Sequence, residues 1–189
     1  FNGQDSVMTM YHDPILWQEG QQLLGEEIKA FFNDSTIDSV QVLRQALSVE
    51  RLDSIHYNQI TGNEMHTYFR DGEVYLSTSI GNVYVNYFHM GEDSILADMN
   101  RTETTFLKIF LKDRKVDKIW MPAATGSFYP IPLIPADMLY VENFAWFDYV
   151  RPVDKHDIFE WRPKKAGSEL KKITRREAPK QKLSNIKKK

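Results

Sequence analysis

The stretch that decides the fold is MHTYFRDGEVYLSTSIGNVYVNYF, residues 65–88, which follows a polar spacer beginning at Gly62. Apolar or β-branched side chains recur there at every second position: Met65, Thr67 and Phe69, then Val74, Leu76 and Thr78, then Val83, Val85 and Tyr87. This period of two, with its aromatic and β-branched residues, indicates strands with one buried face. Turn residues interrupt it at 70–73 and at Gly81-Asn82. The stretch predicts a β-meander of three short strands.

The same unit recurs on both sides of this stretch. Gly25 and Gly62 are 37 positions apart, as are Phe32 and Phe69, and Leu111 follows Phe69 by 42. Each copy consists of a strand, an acidic turn and a second strand, and the turns are residues 33–35, 70–73 and 112–115. A period of this length is typical of stacked units that share one continuous core.

A helical interpretation is open for residues 15–32 and 36–52, where Gln, Glu, Leu and Ala are common. We prefer strands there because the same positions align with clear strands in the second copy, and tertiary context overrides helix propensity. A separate short strand is predicted at residues 15–17. The expected fold is therefore all-β and antiparallel.

Length and composition limit the possibilities further. The 189 residues are 42% hydrophobic and include no cysteine. This size suits one core, and the absence of cysteine excludes disulfides, thiolate metal sites and a cysteine nucleophile. No apolar run approaches the ~18 residues that a membrane-spanning helix needs. Because the chain begins at Phe1, we expect it to be a processed or excised piece.

Charge is distributed unevenly along the chain. From Arg162 onward there are twelve Lys and Arg but only Glu169 and Glu177, so the body carries a net charge of −12 and the end of the chain +10. We divide the chain into a domain at residues 1–152 and a basic, flexible tail at 153–189. The tail suits a solvated linker better than anionic lipid or nucleic acid, and it lacks the interleaved aromatic residues that stack on bases.

Residues 122–152 contain five prolines and seven aromatic residues. Proline cannot donate a hydrogen bond to a sheet, so we expect an irregular cap or strap over one end of the sheet. The aromatic rings suit a plug for that open end, and a docking surface for a partner is the alternative.

Sequence patterns for catalysis are absent. The five histidines lie in five different stretches without the i, i+4 spacing of a metal site, there is no nucleophile elbow, and the only Gly-rich signals are turns. The carboxylates are abundant but form no recognisable pair. We therefore predict no catalytic residue, no metal and no cofactor.

Three segments carry a resemblance to a known family. They are YNQITGNEMHTYFRDGEVYLSTSIGNVYVNYF (57–88), MNRTETTFLKIFLKDRKVDKIW (99–120) and FYPIPLIPADMLYVENFAWFDYVRP (128–152). Together they resemble the OstA-like family of lipopolysaccharide-transport proteins of Gram-negative bacteria, over roughly residues 5–152. The third copy departs from the pattern because Thr104 stands where the first two have Gly25 and Gly62.

The resemblance implies a β-jellyroll, an open V-shaped sheet with an apolar interior. It also implies a component of a periplasmic bridge, which carries lipopolysaccharide and binds other jellyroll components. The resemblance leaves open whether this component is associated with the outer membrane. Repeats that bury one face on each other leave a trough that accepts acyl chains. We predict the lipid-binding residues Ile28, Phe32, Val40, Val42, Met65, Phe69, Val74, Leu76, Val83, Val85, Leu107, Ile109, Leu111 and Ile119.

One alternative to a lipid-binding function remains open. The same residues suit an ordinary packed core with no room for lipid, in which case the protein is a structural or protein-interaction module of the cell envelope. The open end strands offer unpaired backbone groups in either case, which favours head-to-tail self-association.

Overall fold

The computed structural model describes residues 6–165, apart from 19, 34, 35, 155, 158, 159 and 161. These residues form one antiparallel sheet of ten strands, with single 3-10 turns at Ile131–Leu133 and Asp148–Val150. The strands are β1 Val7–Tyr11, β2 Ile15–Gln18, β3 Gln21–Leu24, β4 Glu27–Asn33, β5 Thr36–Arg51, β6 Tyr57–Arg70, β7 Glu73–Met90, β8 Leu96–Lys112, β9 Lys115–Trp120 and β10 Thr125–Pro130. The predicted all-β, antiparallel jellyroll is confirmed, and the helical interpretation of the early residues is wrong. Within the described residues, no helix has the length and apolar character that crossing a membrane requires.

Two of the three predicted hairpin turns are confirmed. Asp71 and Gly72 have φ values of 53° and 79°, and Asp113 and Arg114 have φ values of 51° and 60°. Positive φ at both central residues belongs to the two-residue turn whose twist matches antiparallel strands. The third predicted turn lies between Asn33 and Thr36, where β4 ends and β5 begins, and it is partly outside the described residues.

The prediction that Gly81-Asn82 forms a turn is wrong. Both residues have positive φ, 72° and 50°, but they lie inside β7, which continues on either side of them. The register with β8 slips between Ile80 and Val83 and then resumes, so this is a bulge rather than a reversal. The stretch that was read as three short strands is therefore parts of two long ones.

Bulges divide the long strands β5 to β8 into two halves, since their registers slip near residues 44–45, 61–63 and 81–82. We call the strands and parts of strands on one side the first half-sheet: β2, β3, 46–51 of β5, 57–62 of β6, 83–90 of β7, 96–104 of β8, and β10. The second half-sheet contains β1, β4, 36–43 of β5, 64–70 of β6, 73–80 of β7, 106–112 of β8, and β9.

The repeated position occupied by Gly25, Gly62 and Thr104 lies where the chain crosses between the half-sheets. A Cβ added to Gly25 would overlap Cγ1 of Val42, and one added to Gly62 would lie 2.7 Å from Oγ of Ser79. Thr104, which replaces glycine in the third copy, occupies the corresponding bend of β8 and donates a hydrogen bond to the Pro122 carbonyl at 2.9 Å. The repeat thus marks the sites of closest approach at the bend.

The inner faces of the two half-sheets pack against each other. One hydrophobic cluster joins Leu23 and Ile60 of the first half-sheet to Ile28, Val42 and Met65 of the second. Opposite partners in an antiparallel pair share a face and neighbours along a strand alternate, so these residues fix which side chains point inward.

The outer face of the first half-sheet is covered by residues 134–150, which we call the strap. We expected this segment at one end of the sheet, and the structure corrects that: the strap crosses the strands over the face, where Val141 and Phe147 join Leu24, Leu47 and Tyr57 in a second cluster. The expected irregular segment also contains a strand, β10.

Side chains of the sheet hold the strap by its backbone. Gln22 donates to the Ala145 carbonyl at 2.8 Å and accepts from the Phe147 amide at 2.7 Å. Arg101 donates to the Met138 carbonyl at 2.8 Å. These contacts satisfy polar groups that the strap would otherwise bury without partners.

The start of the predicted tail also contacts the body. Lys164 donates from Nζ to the Asp13 carbonyl at 2.8 Å, and the same atom lies 4.9 Å from the centre of the Phe147 ring. Residues 166–189 lie outside the described residues, so the division into a domain and a flexible tail stays a prediction.

Candidate functional site

The candidate site is the inner face of the folded sheet. In the second half-sheet two cross-strand rows follow from the pairing. They are Met10, Ile28, Val42, Met65, Ser79 and Leu107, and Met8, Ala30, Val40, Thr67, Ser77, Ile109 and Ile119. Both rows contain only apolar side chains and small hydroxyl side chains. Hydroxyls of Ser and Thr can bond to the backbone of their own sheet, as Ser79 does to the Thr61 carbonyl at 3.1 Å, so the surface remains mainly apolar.

The inner face of the first half-sheet is apolar near the bend and polar near its far end. Close to the bend lie Leu23, Ile60, Val83 and Val85, which share a face through the β3–β5–β6–β7 pairing and the alternation along β7. Further out Asn58 donates from Nδ2 to a carboxylate oxygen of Glu50 at 2.9 Å. Apart from Ser and Thr hydroxyls, the polar side chains of this wall therefore lie at its far end.

The structure places thirteen of the fourteen predicted residues on the inner face. Leu76 is the exception: it is paired with Tyr68 and Phe110, which point outward. The prediction failed there because β7 contains an extra residue, Tyr75, opposite β6, and the bulge changes which alternate positions share a face. Whether the thirteen residues bind lipid stays a prediction.

Several inner residues were missed by the sequence analysis. Met8 and Met10 alternate in β1, and Leu16 and Leu23 belong to the short strands β2 and β3. Phe128 shares the inner face through its pairing with Asn100. The alternation of the two methionines was a usable signal, whereas Phe128 was assigned to an irregular cap.

Burial along the inner face changes from one end to the other. Ile28 and Val42 are fully buried among β4 to β6, and Leu107 is nearly so. On the strands beyond, Ile119 is 50% exposed and Phe128 is 66% exposed. The apolar interior is therefore packed on the β4 side and open to solvent at β9 and β10.

Charged residues are rare on the inner face. Among strand residues described by the structure, every Lys and Arg in a regular ladder position points outward, and the inward carboxylates are Glu50 and Asp98. Asp98 lies 3.0 Å from Nδ1 of His89, whose ring stacks on Phe128. At the ladder positions that the structure describes, the groove thus offers no Lys or Arg that would hold a phosphate.

The bend itself is held by an ionic cluster on the outer side. Arg44, with φ of 62°, donates to Glu26 at 3.0 Å and to Glu27 at 2.8 Å. The hydrogen bond from Arg44 outweighs the burial of Glu27, so the pKa of Glu27 falls below its ordinary value. This cluster stabilises the left-handed conformation of Arg44 and with it the bulge in β5.

A cavity of about 350 Å³ lies at the tips of the β6–β7 and β8–β9 hairpins. Val74 and Leu111 form its apolar wall, and Arg70, Glu73 and Asp113 form its rim. It lies beside the predicted lining residues at the outer edge of the second half-sheet. No group of three His, Asp or Glu side chains within the described residues could hold a metal ion.

Comparisons with known proteins gave one structural likeness. No family model matches the chain, and the search of curated proteins found no match. The fold is similar to the crystal structure of LptH from Pseudomonas aeruginosa, which is described as the LptA homologous periplasmic component of the conserved lipopolysaccharide transport device. The TM-score is 0.47 at 12% sequence identity, and the match covers 68% of this chain and 87% of that one.

Proposed function

We propose that this chain is a non-catalytic periplasmic component of lipopolysaccharide transport, which holds acyl chains between its two half-sheets. The observation that carries the proposal is the inner face: it is apolar, has no inward Lys or Arg in its described ladders, and passes from packed to solvent-exposed towards Ile119 and Phe128. The resemblance of residues 57–88, 99–120 and 128–152 to OstA-like proteins supplies the substrate.

Acyl chains would enter the groove at the β9 and β10 end. Ile119 and Phe128 there expose apolar surface that a chain can cover, and each buried methylene contributes ~0.8 kcal/mol. Apolar contact has no preferred direction, so a chain can move along the groove without breaking specific bonds. The sugars and phosphates would remain in water, because the described inner ladders carry no Lys or Arg to pair with phosphate.

Other jellyroll components would dock at the open edges of the sheet. Within the described residues, β1, β2, β9 and β10 each pair with a single neighbouring strand. Strand β10 has the sequence TGSFYP and carries no charge, whereas β9 carries two lysines and an aspartate. Charged residues protect an edge against pairing, so β10 is a better edge than β9 for head-to-tail association with another jellyroll or a second copy, and β1 and β2 are uncharged as well.

Photocrosslinking in cells that make lipopolysaccharide tests the lipid path. Probes at Phe69 and Ile109 point inward, and probes at the adjacent Tyr68 and Lys108 point outward as matched controls. We expect lipopolysaccharide adducts at the inward pair and none at the outward pair. Adducts of equal yield at both pairs, or none at the inward pair in a folded and exported protein, would overturn the proposal.

The alternative function is a protein-interaction module of the cell envelope without lipid. The dense packing around Ile28, Val42 and Met65 favours it, because that part of the interior is already filled by side chains. The same crosslinking experiment separates the two functions, since a module of this kind would give no lipid adducts at Phe69 and Ile109.

A further inference from the structure

The two outer faces of the folded sheet are built on the same plan. On the first half-sheet a cross-strand row of Gln22, Val49, Gln59, Asn86 and Arg101 lies beneath the strap. Gln22, Gln59 and Asn86 are fully buried, and all three bond to the strap backbone. A mainly polar row thus binds the backbone of a crossing peptide, while apolar residues such as Leu24, Leu47 and Tyr57 receive its side chains.

The second half-sheet has a corresponding row on its outer face. Pairing aligns Lys29, Gln41, His66, Thr78 and Lys108 across β4, β5, β6, β7 and β8. Mainly apolar rows flank it: Phe31, Ser39, Tyr68, Leu76 and Phe110 on one side, and Glu27, Leu43, Glu64, Ile80 and Phe106 on the other. On β7 and β8 both flanking rows are apolar, and there the order of a polar row between apolar rows is like that beneath the strap.

The exposure of the two rows differs. The apolar flanking residues of the second half-sheet are only half-buried, and Trp120, which continues the polar row onto β9, is 49% exposed. Among the residues described by the structure, none outside the sheet forms a hydrogen bond to the side chain of Gln41, His66 or Thr78. The Thr78 hydroxyl bonds to the His66 carbonyl, and His66 lies beside Glu64. This face therefore has the features of the covered face without a described segment over it.

Charge indicates what kind of segment fits. The face ends at β8 and β9 with Lys108, Lys112, Lys115 and Lys118. Lys108 pairs with Trp120 and its Nζ lies 5.7 Å from the centre of the Phe106 ring, and Lys118 pairs with Phe110. The strap that occupies the other face has acidic residues among its aromatic ones, namely Asp137, Glu142 and Asp148. An acidic, aromatic peptide matches the lysines, whereas the basic residues 162–189 of this chain would be repelled by them.

We propose that the outer face of the second half-sheet binds an extended, acidic and aromatic peptide segment of a partner protein, which crosses the strands as the strap does. Its backbone would bond to Gln41, His66 and Thr78, and its acidic residues would pair with Lys108 and Lys118. The apolar rows would receive its aromatic side chains. This proposal is independent of the lipid proposal, because it concerns the opposite face of the sheet.

A synthetic peptide with the sequence of residues 134–150, IPADMLYVENFAWFDYV, is the probe for this site. We expect it to bind the full chain one to one in calorimetry. A K108E/K118E variant should bind about fivefold or more weakly, because two attractive charges become repulsive. The matched control is K187E/K188E, which makes the same change in net charge in the tail and should bind as the original chain does.

Amide chemical shifts locate the bound peptide. We expect changes at Gln41, His66 and Thr78, and none at Gln59 and Asn86, which the strap already occupies. Failure of the peptide to bind the folded chain would overturn the proposal. Equal losses of binding in the two double variants, or shift changes confined to Gln59 and Asn86, would also overturn it. Binding of the chain to vesicles that contain anionic lipid is measured alongside. If K108E/K118E weakened only the binding to vesicles, this face would be a membrane contact instead.

Discussion

Gln59 lies directly opposite Asn86 across the β6–β7 pair, and both side chains donate hydrogen bonds to the same carbonyl of the strap. Nε2 of Gln59 lies 2.9 Å from the Leu139 oxygen, and Nδ2 of Asn86 lies 3.3 Å from it. Oε1 of Gln59 also accepts from the Val141 amide at 2.8 Å. Because both side chains are fully buried, the strap depends on this pair to satisfy its own polar groups.

Replacing Gln59 should therefore loosen the strap. Gln59→Ala leaves the Val141 amide buried without its partner and removes one donor from the Leu139 carbonyl. An unsatisfied buried group of this kind costs about 1–3 kcal/mol, and we expect a loss of this size in the free energy of unfolding measured with urea. A change confined to a few tenths of a kcal/mol would show that water replaces the side chain.

The matched control is Gln41→Ala. Gln41 has the corresponding position in the outer row of the second half-sheet, where the described residues place no strap over it. We expect the free energy of unfolding of the Gln41→Ala variant to differ from that of the original chain by no more than about 0.5 kcal/mol, as is usual for surface substitutions. Equal losses in the two variants would mean that Gln59 acts through the sheet rather than through the strap.

Gly25 should tolerate no side chain. Gly25→Ala would place a methyl group against Cγ1 of Val42 in the packed inner cluster, so either β5 shifts or the bend opens. Overpacking of this kind costs about 1–3 kcal/mol. Thermal unfolding should show a clear decrease in midpoint temperature.

A second glycine provides the comparison. Gly72 lies in the β6–β7 turn with φ of 79°, and an added Cβ would meet nothing within 4 Å. Gly72→Asn should be tolerated, because Asn adopts the left-handed region more readily than other residues. If Gly72→Asn destabilised the protein as much as Gly25→Ala, close approach at the bend would not explain the repeated glycines.

Asp53 should make stability depend on pH below 4. Burial favours a higher pKa, but hydrogen bonds from the His56 ring and from the backbone amides of Ile55 and His56 outweigh it and lower the pKa of Asp53 from 3.8 to about 2. A carboxylate with a lowered pKa stabilises the folded state above the unfolded pKa. This contribution is lost as the pH falls through 3.8 towards 2.

The test compares the original chain with Asp53→Asn over this pH range. Above pH 4 we expect the variant to have the lower midpoint temperature, and the difference should shrink as the pH falls to 2. The effect should be modest, because the Asp53 side chain is partly exposed to solvent. A difference that stayed constant from pH 6 to pH 2 would rule out the carboxylate charge as its source.

The sequence predicted the hairpins and the inward residues because both are local patterns. Turn residues and alternation identified Asp71-Gly72, Asp113-Arg114 and thirteen inner positions. The Gly81-Asn82 bulge was read as a turn because the two features use the same residue types and the same positive φ. Only the partner strand decides between them.

The side chains that bind the strap could not be predicted from the sequence, for a different reason. Gln22, Gln59 and Asn86 are far apart in the sequence, and each is a polar residue beside an apolar one. They form one row only when the registers of three strand pairs are known. A buried polar row of this kind is a property of the sheet, so no local pattern reports it.

Leu107 belongs to the packed part of the interior and Ile119 to the solvent-exposed part. Both point inward, but Leu107 is 3% exposed whereas Ile119 is 50% exposed. Leu107→Ala removes buried methyl groups and should lower the free energy of unfolding by about 2–5 kcal/mol, while Ile119→Ala should cost less than about 1 kcal/mol.

The proposed lipid path adds a second readout at the same position. Ile119→Asp places a charge at the open end of the groove, so it should decrease lipopolysaccharide crosslinking at Ile109 while the urea unfolding midpoint changes little. The adjacent outward substitution Lys118→Asp is the control and should leave crosslinking unchanged. Since Ile119 contributes little to the core, a loss of lipid adducts at Ile109 in this variant reports on ligand entry and not on unfolding. If Ile119→Asp left the adducts at Ile109 intact, acyl chains would not enter between β9 and β10.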